Sequence, residues 1–138
     1  MGNSVTRRAS FEDVEFAQKG HALLISVLAE NEQSVLIEGT VPLEDEVEEV
    51  EHAISSKRAI LIYGKNANDE KVYAKYDQIV KLGGRPYIYS GGMFEWLLLQ
   101  DVFGDRIKTT APTLDILKYR PFNILNTKYL LNHGGRIA

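Results

Sequence analysis

The spacing of apolar positions changes several times along the chain, and each change marks an element. Ser10-Phe11-Glu12-Asp13 reads as a helix start, with Ser10 as the cap and acids at the positive end of the dipole. Phe11, Val14 and Ala17, with Phe16 beside them, keep helical spacing up to Gly20. His21 to Leu28 then reads as a short buried strand and Ala29 to Gln33 as a polar turn. Ser34 to Val41 reads as a second strand around Val35-Leu36-Ile37, stopped by Pro42. Glu44 to Ile54 predicts a helix with Val47, Val50 and Ile54 on one stripe. Its other face carries Glu44, Asp45, Glu46, Glu48, Glu49 and Glu51, a solvated acidic face. Ala59 to Tyr63 is a continuous apolar run between Arg58 and Gly64, the pattern of a central parallel strand. After a polar loop, Val72, Tyr76, Ile79 and Val80 set a helix that stops at Gly83-Gly84. Pro86 to Tyr89 is a further strand, and Ser90-Gly91-Gly92 turns into a helix over 93–103. That helix is apolar on most sides and is predicted to be largely buried.

Strands alternating with helices predict an α/β domain, a mostly parallel sheet with helices on both faces. The alternation breaks after Thr109. Short helices are predicted over 113–119 and 126–132, with Leu114, Leu117, Phe122, Ile124 and Leu130 as anchors on the domain. Lys118, Arg120, Lys128 and Arg136 alternate there with Tyr119, Phe122 and Tyr129, which suits either a partner-docking segment or a plain cap on the sheet. The expected organisation is a flexible segment 1–9, a domain over 10–106 and an extension over 107–138.

Composition narrows the chemistry. A chain of 138 residues is one domain, large enough for a core without staples. It contains no cysteine, which excludes disulfides, thiolate metal sites and any thiol nucleophile. A net charge of −3 gives no general pull toward nucleic acid. His21, His52 and His133 never fall within four residues of one another, so no helical metal pair exists, and no cofactor is expected. Tyr73, Tyr76, Phe94 and Trp96 lack a basic surround and are explained as core or half-core positions.

The first residues carry a different signal. Met1-Gly2-Asn3-Ser4-Val5-Thr6 fits the N-myristoylation pattern, with Gly2 as acceptor and Thr6 at the hydroxyl position. One acyl chain holds a protein to a bilayer only marginally. A second acyl chain would need a cysteine. Arg7 and Arg8 can add about 1 kcal/mol each near an anionic leaflet, opposed by Glu12, Asp13 and Glu15. The expectation is weak, switchable attachment at the cytosolic face of a membrane, in the cytoplasm of a eukaryotic cell or of one infected by a virus.

From Ala59 to Asp105 the chain resembles the rhodanese family. The matching residues are Ala59-Ile60-Leu61-Ile62-Tyr63-Gly64, Gly83-Gly84, Tyr87-Ile88-Tyr89 and Gly91-Gly92-Met93-Phe94-Glu95-Trp96. Ala22 to Leu28 and Leu36 to Pro42 are similar to the family's first two strands, so the resemblance spans about residues 10–106. It implies a rhodanese-like fold. It also implies that the family's sulfur-carrying cysteine would fall at Gly64, and its Asp-x-Arg pattern at Ser26 and Leu28. All three departures point to a rhodanese-like domain without rhodanese chemistry.

The loop Gly64-Lys65-Asn66-Ala67-Asn68-Asp69-Glu70-Lys71 is the candidate binding site, offering donors and acceptors at the carboxyl end of a strand. Asn68 or Asp69 is expected to cap the following helix. An anion held by its N-terminus is the alternative, helped by Lys65 and Lys71 and opposed by Asp69 and Glu70. The favoured reading is a non-catalytic binding or regulatory module, acylated at Gly2, whose partner is a protein or a small anion. A cysteine-free enzyme, such as a hydrolase working at the 64–71 loop, and a purely structural soluble domain are the competing readings.

Overall fold

A computed structural model describes residues 6–113 and 115–121. Gly2, Leu114 and the segment 122–138, with its predicted helix, anchors and basic residues, lie outside the described residues. The strands are β1 (Arg8–Ala9), β2 (Leu23–Ser26), β3 (Ala59–Tyr63) and β4 (Arg85–Tyr89). They form one parallel sheet in the order β1-β4-β3-β2. The helices are α1 (Phe11–Phe16), α2 (Glu46–Ser55), α3 (Lys71–Lys81) and α4 (Gly92–Phe103).

Alternation along the strands divides the core into two layers. Leu24, Leu61, Tyr63 and Tyr89 face α1 and α4, where Val14, Ala17, Met93, Trp96 and Leu97 are buried. Leu23, Ile25, Ile60, Ile62 and Ile88 face α2 and α3, where Val50, Ala53, Val72, Tyr76 and Ile79 are buried. The central strand β3 is covered on both sides, which explains its unbroken apolar sequence. Ser10 starts α1 as predicted: its hydroxyl accepts from the Asp13 amide, and the Asp13 carboxylate accepts from the Ser10 amide.

Five expectations change. Arg8 and Ala9, expected in a flexible segment 1–9, belong to the sheet, where they pair with Ile88 and Tyr89. Ser34–Val41 is not a strand. It meets the sheet through one bridge, Leu24 to Thr40, while Ile37 bridges to Thr109 outside the sheet. Its backbone is instead tied to 108–110: the Leu36 amide donates to Thr110 Oγ1, the Thr110 amide to the Leu36 carbonyl and the Glu38 amide to the Lys108 carbonyl. Tyr63 completes the tie. The Thr40 hydroxyl is 2.6 Å from the Ile37 carbonyl, which can only accept, so Thr40 donates there. Tyr63 then donates to Thr40 and accepts from the Ile37 amide. Burial drives the Tyr63 phenol far above its ordinary pKa, with those two bonds pulling weakly the other way.

The remaining three concern helix faces. Val47 is 72% exposed, so the buried stripe of α2 is Val50 and Ala53 with Ile54 at its edge. On α4, Met93, Trp96 and Leu97 are buried, but Leu98, Val102 and Phe103 are exposed, so the helix is one-sided. Leu117 is also exposed. The extension is anchored by Tyr119, which closes the short turn Ile116–Tyr119 and is fully buried, and by Ile107.

Candidate functional site

The loops after β2, β3 and β4 meet at the carboxyl ends of the strands. Ser26, at the end of β2, is buried and its hydroxyl accepts from the Leu28 amide. That bond turns the chain toward the short helical turn Glu30–Glu32. Glu32 accepts from the Ala29 amide and pairs with Lys65 at 2.7 Å. The Lys65 ammonium, more than burial opposes it, holds the Glu32 carboxyl below the ordinary range. That pair is therefore complete above the ordinary carboxylate range and is lost as pH falls through the lowered value.

Asp69 organises the loop from inside. Its Oδ2 accepts from the Lys65 amide at 2.9 Å, and its Oδ1 accepts from the Lys71 amide at 3.2 Å, at the start of α3. Neither Asn68 nor Asp69 is the cap of α3: that position is Glu70, which makes no side-chain cap bond, and Asp69, one residue further out, accepts from the Lys71 amide alone at the helix start. A methyl carbon added at Gly64 would stand 2.5 Å from Asp69 Oδ2. The protein's own carboxylate thus fills the space beside Gly64 and takes two of the backbone amides there. Asn66 does the outward work: its Oδ1 accepts from the Asn68 amide and its Nδ2 donates to the Tyr119 carbonyl.

The turn after β4 grips the same loop. The Met93 and Phe94 amides, in the first turn of α4, donate to the Gly64 and Lys65 carbonyls, both at 2.9 Å. Gly92 makes that approach possible. Its φ is +63°, and an added methyl would lie 2.6 Å from the Gly64 carbonyl oxygen. Beneath the turn, Tyr89 donates to the Glu95 carboxylate at 2.5 Å. Burial first, and that bond second, raise the Tyr89 pKa far above its ordinary value.

All eight loop residues are brought together, and seven of them, Lys65 to Lys71, line a cleft of about 710 Å³. Its other walls are Tyr73, Lys118 and Arg120. Reading the loop alone misses these walls, as it misses Glu32. The basic character of 118–120 is plain in the sequence, but its placement depends on the Asn66–Tyr119 bond. The acidic face of α2 is exposed apart from Glu46, which pairs with Lys75 at 2.7 Å. His21 and His52 are exposed, with His21 stacked on Phe16.

No protein-family model and no curated protein matches the sequence. Solved structures do match its fold. A full-length Lactobacillus plantarum protein superposes with a TM-score of 0.58 at 12% identity, over 76% of this chain and 88% of that one. The Alr3790 protein from Anabaena sp. superposes with a TM-score of 0.54 at 16% identity, over 89% and 93%. Reduced Bacillus anthracis CoADR-RHD superposes with a TM-score of 0.52 at 19% identity, over 74% of this chain. The chain spans only 18% of that protein's length. The absence of cysteine is compatible with the absence of sulfurtransferase activity. The parallel sheet, its two helical layers and these structural neighbours together identify the chain as a rhodanese-like domain in fold.

Proposed function

We propose that this protein is a non-catalytic binding module that uses its 64–71 loop as a docking site, and that Gly2 carries an acyl chain for peripheral membrane contact. One observation carries the first part: the Asp69 carboxylate occupies the loop's Lys65 and Lys71 amides beside Gly64, where the resemblance places a thiolate. A thiolate there would sit against a carboxylate of like charge, and an incoming anionic substrate would meet the same charge. Binding is favoured on the outer rim. Lys71, Lys118 and Arg120 share the cleft there with Glu70, while Lys65 is engaged by Glu32. That rim suits an anionic group on a partner.

The test is a thiosulfate:cyanide assay paired with amide-shift mapping. The natural chain is expected to show no turnover above buffer. Gly64→Cys alone is expected to show none either, because its Cβ meets Asp69 Oδ2. Turnover by the natural chain that is lost on Asp69→Asn would overturn the non-catalytic reading. For docking, inorganic phosphate is the probe, with shifts expected at residues 68–73, 118 and 120. Shifts confined to 44–51, with the loop unmoved, would place the site on the acidic helix instead.

The membrane part rests on Gly2 and the motif around it. Arg7 and Arg8 are committed to the sheet edge. The Arg8 guanidinium donates to Ser90 Oγ at 2.8 Å and to Tyr73 Oη at 3.3 Å, and Arg7 lies over the Tyr87 ring. Neither is a free basic tail, so one acyl chain would supply most of the attraction, and attachment would be marginal.

A further inference from the structure

A groove on the sheet face that α1 covers, running from Ala22 and Ala59 at the amino ends of β2 and β3 to Ala9, shares no wall with the 64–71 cleft. Ala9, Ala22, Ala59, Leu61 and Tyr87 lie on the sheet face that α1 covers. α1 ends at Phe16, and the chain turns away through Ala17–His21, with Gly20 at φ +92°. Three of the sheet-face positions under that short helix are alanine, so the space above them is unfilled. The result is an apolar groove of about 280 Å³ with Phe16 as its outer wall, and Arg8, Asp13 and His21 at the rim. That volume falls just short of the roughly 300–1,000 Å³ of small-molecule sites.

The position of the N-terminus selects the occupant. β1 runs parallel to β4, with Arg8 opposite Ile88, and the Ile88 amide donates to the Arg7 carbonyl. Arg7 therefore stands level with Tyr87, the middle residue of β4, over which its guanidinium lies at 4.8 Å, and the parallel direction of β1 sets its preceding side toward the amino end of β4. Ala59, which begins β3, pairs with Arg85 at that same end. Gly2 is five residues from Arg7, a tether of at most about 18 Å. A chain on Gly2 is thus held near the groove at high effective concentration, whereas a bilayer has to be found by diffusion.

We propose that the groove under α1 is an intramolecular slot for the acyl chain on Gly2, so that membrane attachment is a switch between slot and bilayer. The proposal rests on the acylation reading. With Arg7 and Arg8 held at the sheet edge and no cysteine for a second acyl chain, the single chain's weak hold on a bilayer leaves the slot a matched competitor.

The experiment uses the full chain, made with and without co-expressed N-myristoyltransferase, and checked by intact mass. On acylation, the methyl resonances of Ala9, Ala22, Ala59 and Leu61 are expected to shift, while those around the 64–71 loop hold still. Ala59→Leu, which fills the groove, is expected to remove those shifts. It is also expected to strengthen binding to phosphatidylcholine vesicles by about tenfold, the release that follows if nine chains in ten occupy the slot. Unmoved methyls in the acylated protein would overturn the slot, as would vesicle binding unchanged by a folded Ala59→Leu. A mass showing no acylation would overturn the Gly2 reading alone. In that case sodium myristate, titrated below its micellar range into the unmodified chain, decides the slot by the same methyls: their shift supports it and their constancy overturns it.

Discussion

Trp96→Ala is expected to destabilise the fold by about 3–5 kcal/mol, the range for deleting a large aromatic from a packed core. Trp96 is completely buried between Tyr89, whose ring meets it edge-on at 6.3 Å, and the strap that crosses α4 at 107–110. Its indole donates to the Lys108 carbonyl at 2.9 Å. That carbonyl also accepts from the Glu38 amide, so the substitution does not leave it without a partner. The cost is therefore a cavity cost. Trp96→Phe separates the two terms: it keeps most of the packing, loses the indole bond, and is expected to cost about half as much or less. Urea unfolding monitored by far-UV circular dichroism measures both. Equal losses for the two variants would show that the hydrogen bond, not the packing, holds the strap. Because domains of this size are stable by only about 5–15 kcal/mol, Trp96→Ala is expected to leave the fold marginal at 37 °C.

The elements that the sequence reveals are those whose burial pattern repeats over several residues. The run Ala59–Tyr63 has no polar position because both its faces are covered, and the stripe Val72, Tyr76, Ile79 has a single buried side. What escapes is pairing that leaves no period. Arg8–Ala9 is two residues long, too short for alternation to show. Val35-Leu36-Ile37 is apolar because all three are buried, yet the Leu36 and Ile37 amides bond to the side chains of Thr110 and Tyr63 rather than into a ladder. Apolar content reports burial, and only the partner's position makes a buried run a strand. The exposed Leu98 and Val102 make the same point in reverse, since α4 is richer in apolar residues than its one buried face requires.

At the candidate site, the part legible in the sequence is local. Asp69 stands two residues ahead of the α3 start, and its bond to the Lys71 amide is the local kind that an Asp so placed makes with the backbone two residues on. Its second bond, back to the Lys65 amide, depends on the loop closing on itself, for which the sequence carries no signal. Lys118 and Arg120 stand about fifty residues from the loop, and only the burial of Tyr119 and its contact with Asn66 bring them to the cleft. The missing cysteine is visible in the sequence; the carboxylate that fills its surroundings is visible only in the structure.

Gly92→Ala is expected to cost about 3–4 kcal/mol and to loosen the 64–71 loop at the same time. Two penalties combine. A non-glycine residue at φ +63° pays roughly 1–2 kcal/mol for the left-handed conformation. The added methyl also lies 2.6 Å from the Gly64 carbonyl oxygen and 2.9 Å from the Asn66 amide nitrogen, contacts with backbone that has no side chain to swing away. Relief requires α4 to retreat from the loop, which breaks the Met93–Gly64 and Phe94–Lys65 hydrogen bonds, each worth about 1 kcal/mol. Gly83→Ala is the control, because Gly83 has φ +90° but nothing within 4 Å of an added methyl. It pays the conformational term alone, so roughly 1–2 kcal/mol is expected there. Amide hydrogen exchange then separates stability from loop coupling. In Gly92→Ala the Met93 and Phe94 amides should lose protection beyond the global change, while in Gly83→Ala protection should fall uniformly. Equal free-energy losses with no selective exchange at 93–94 would mean that the Gly91-Gly92 turn does not hold the loop, and that the docking site is shaped by Asp69 alone.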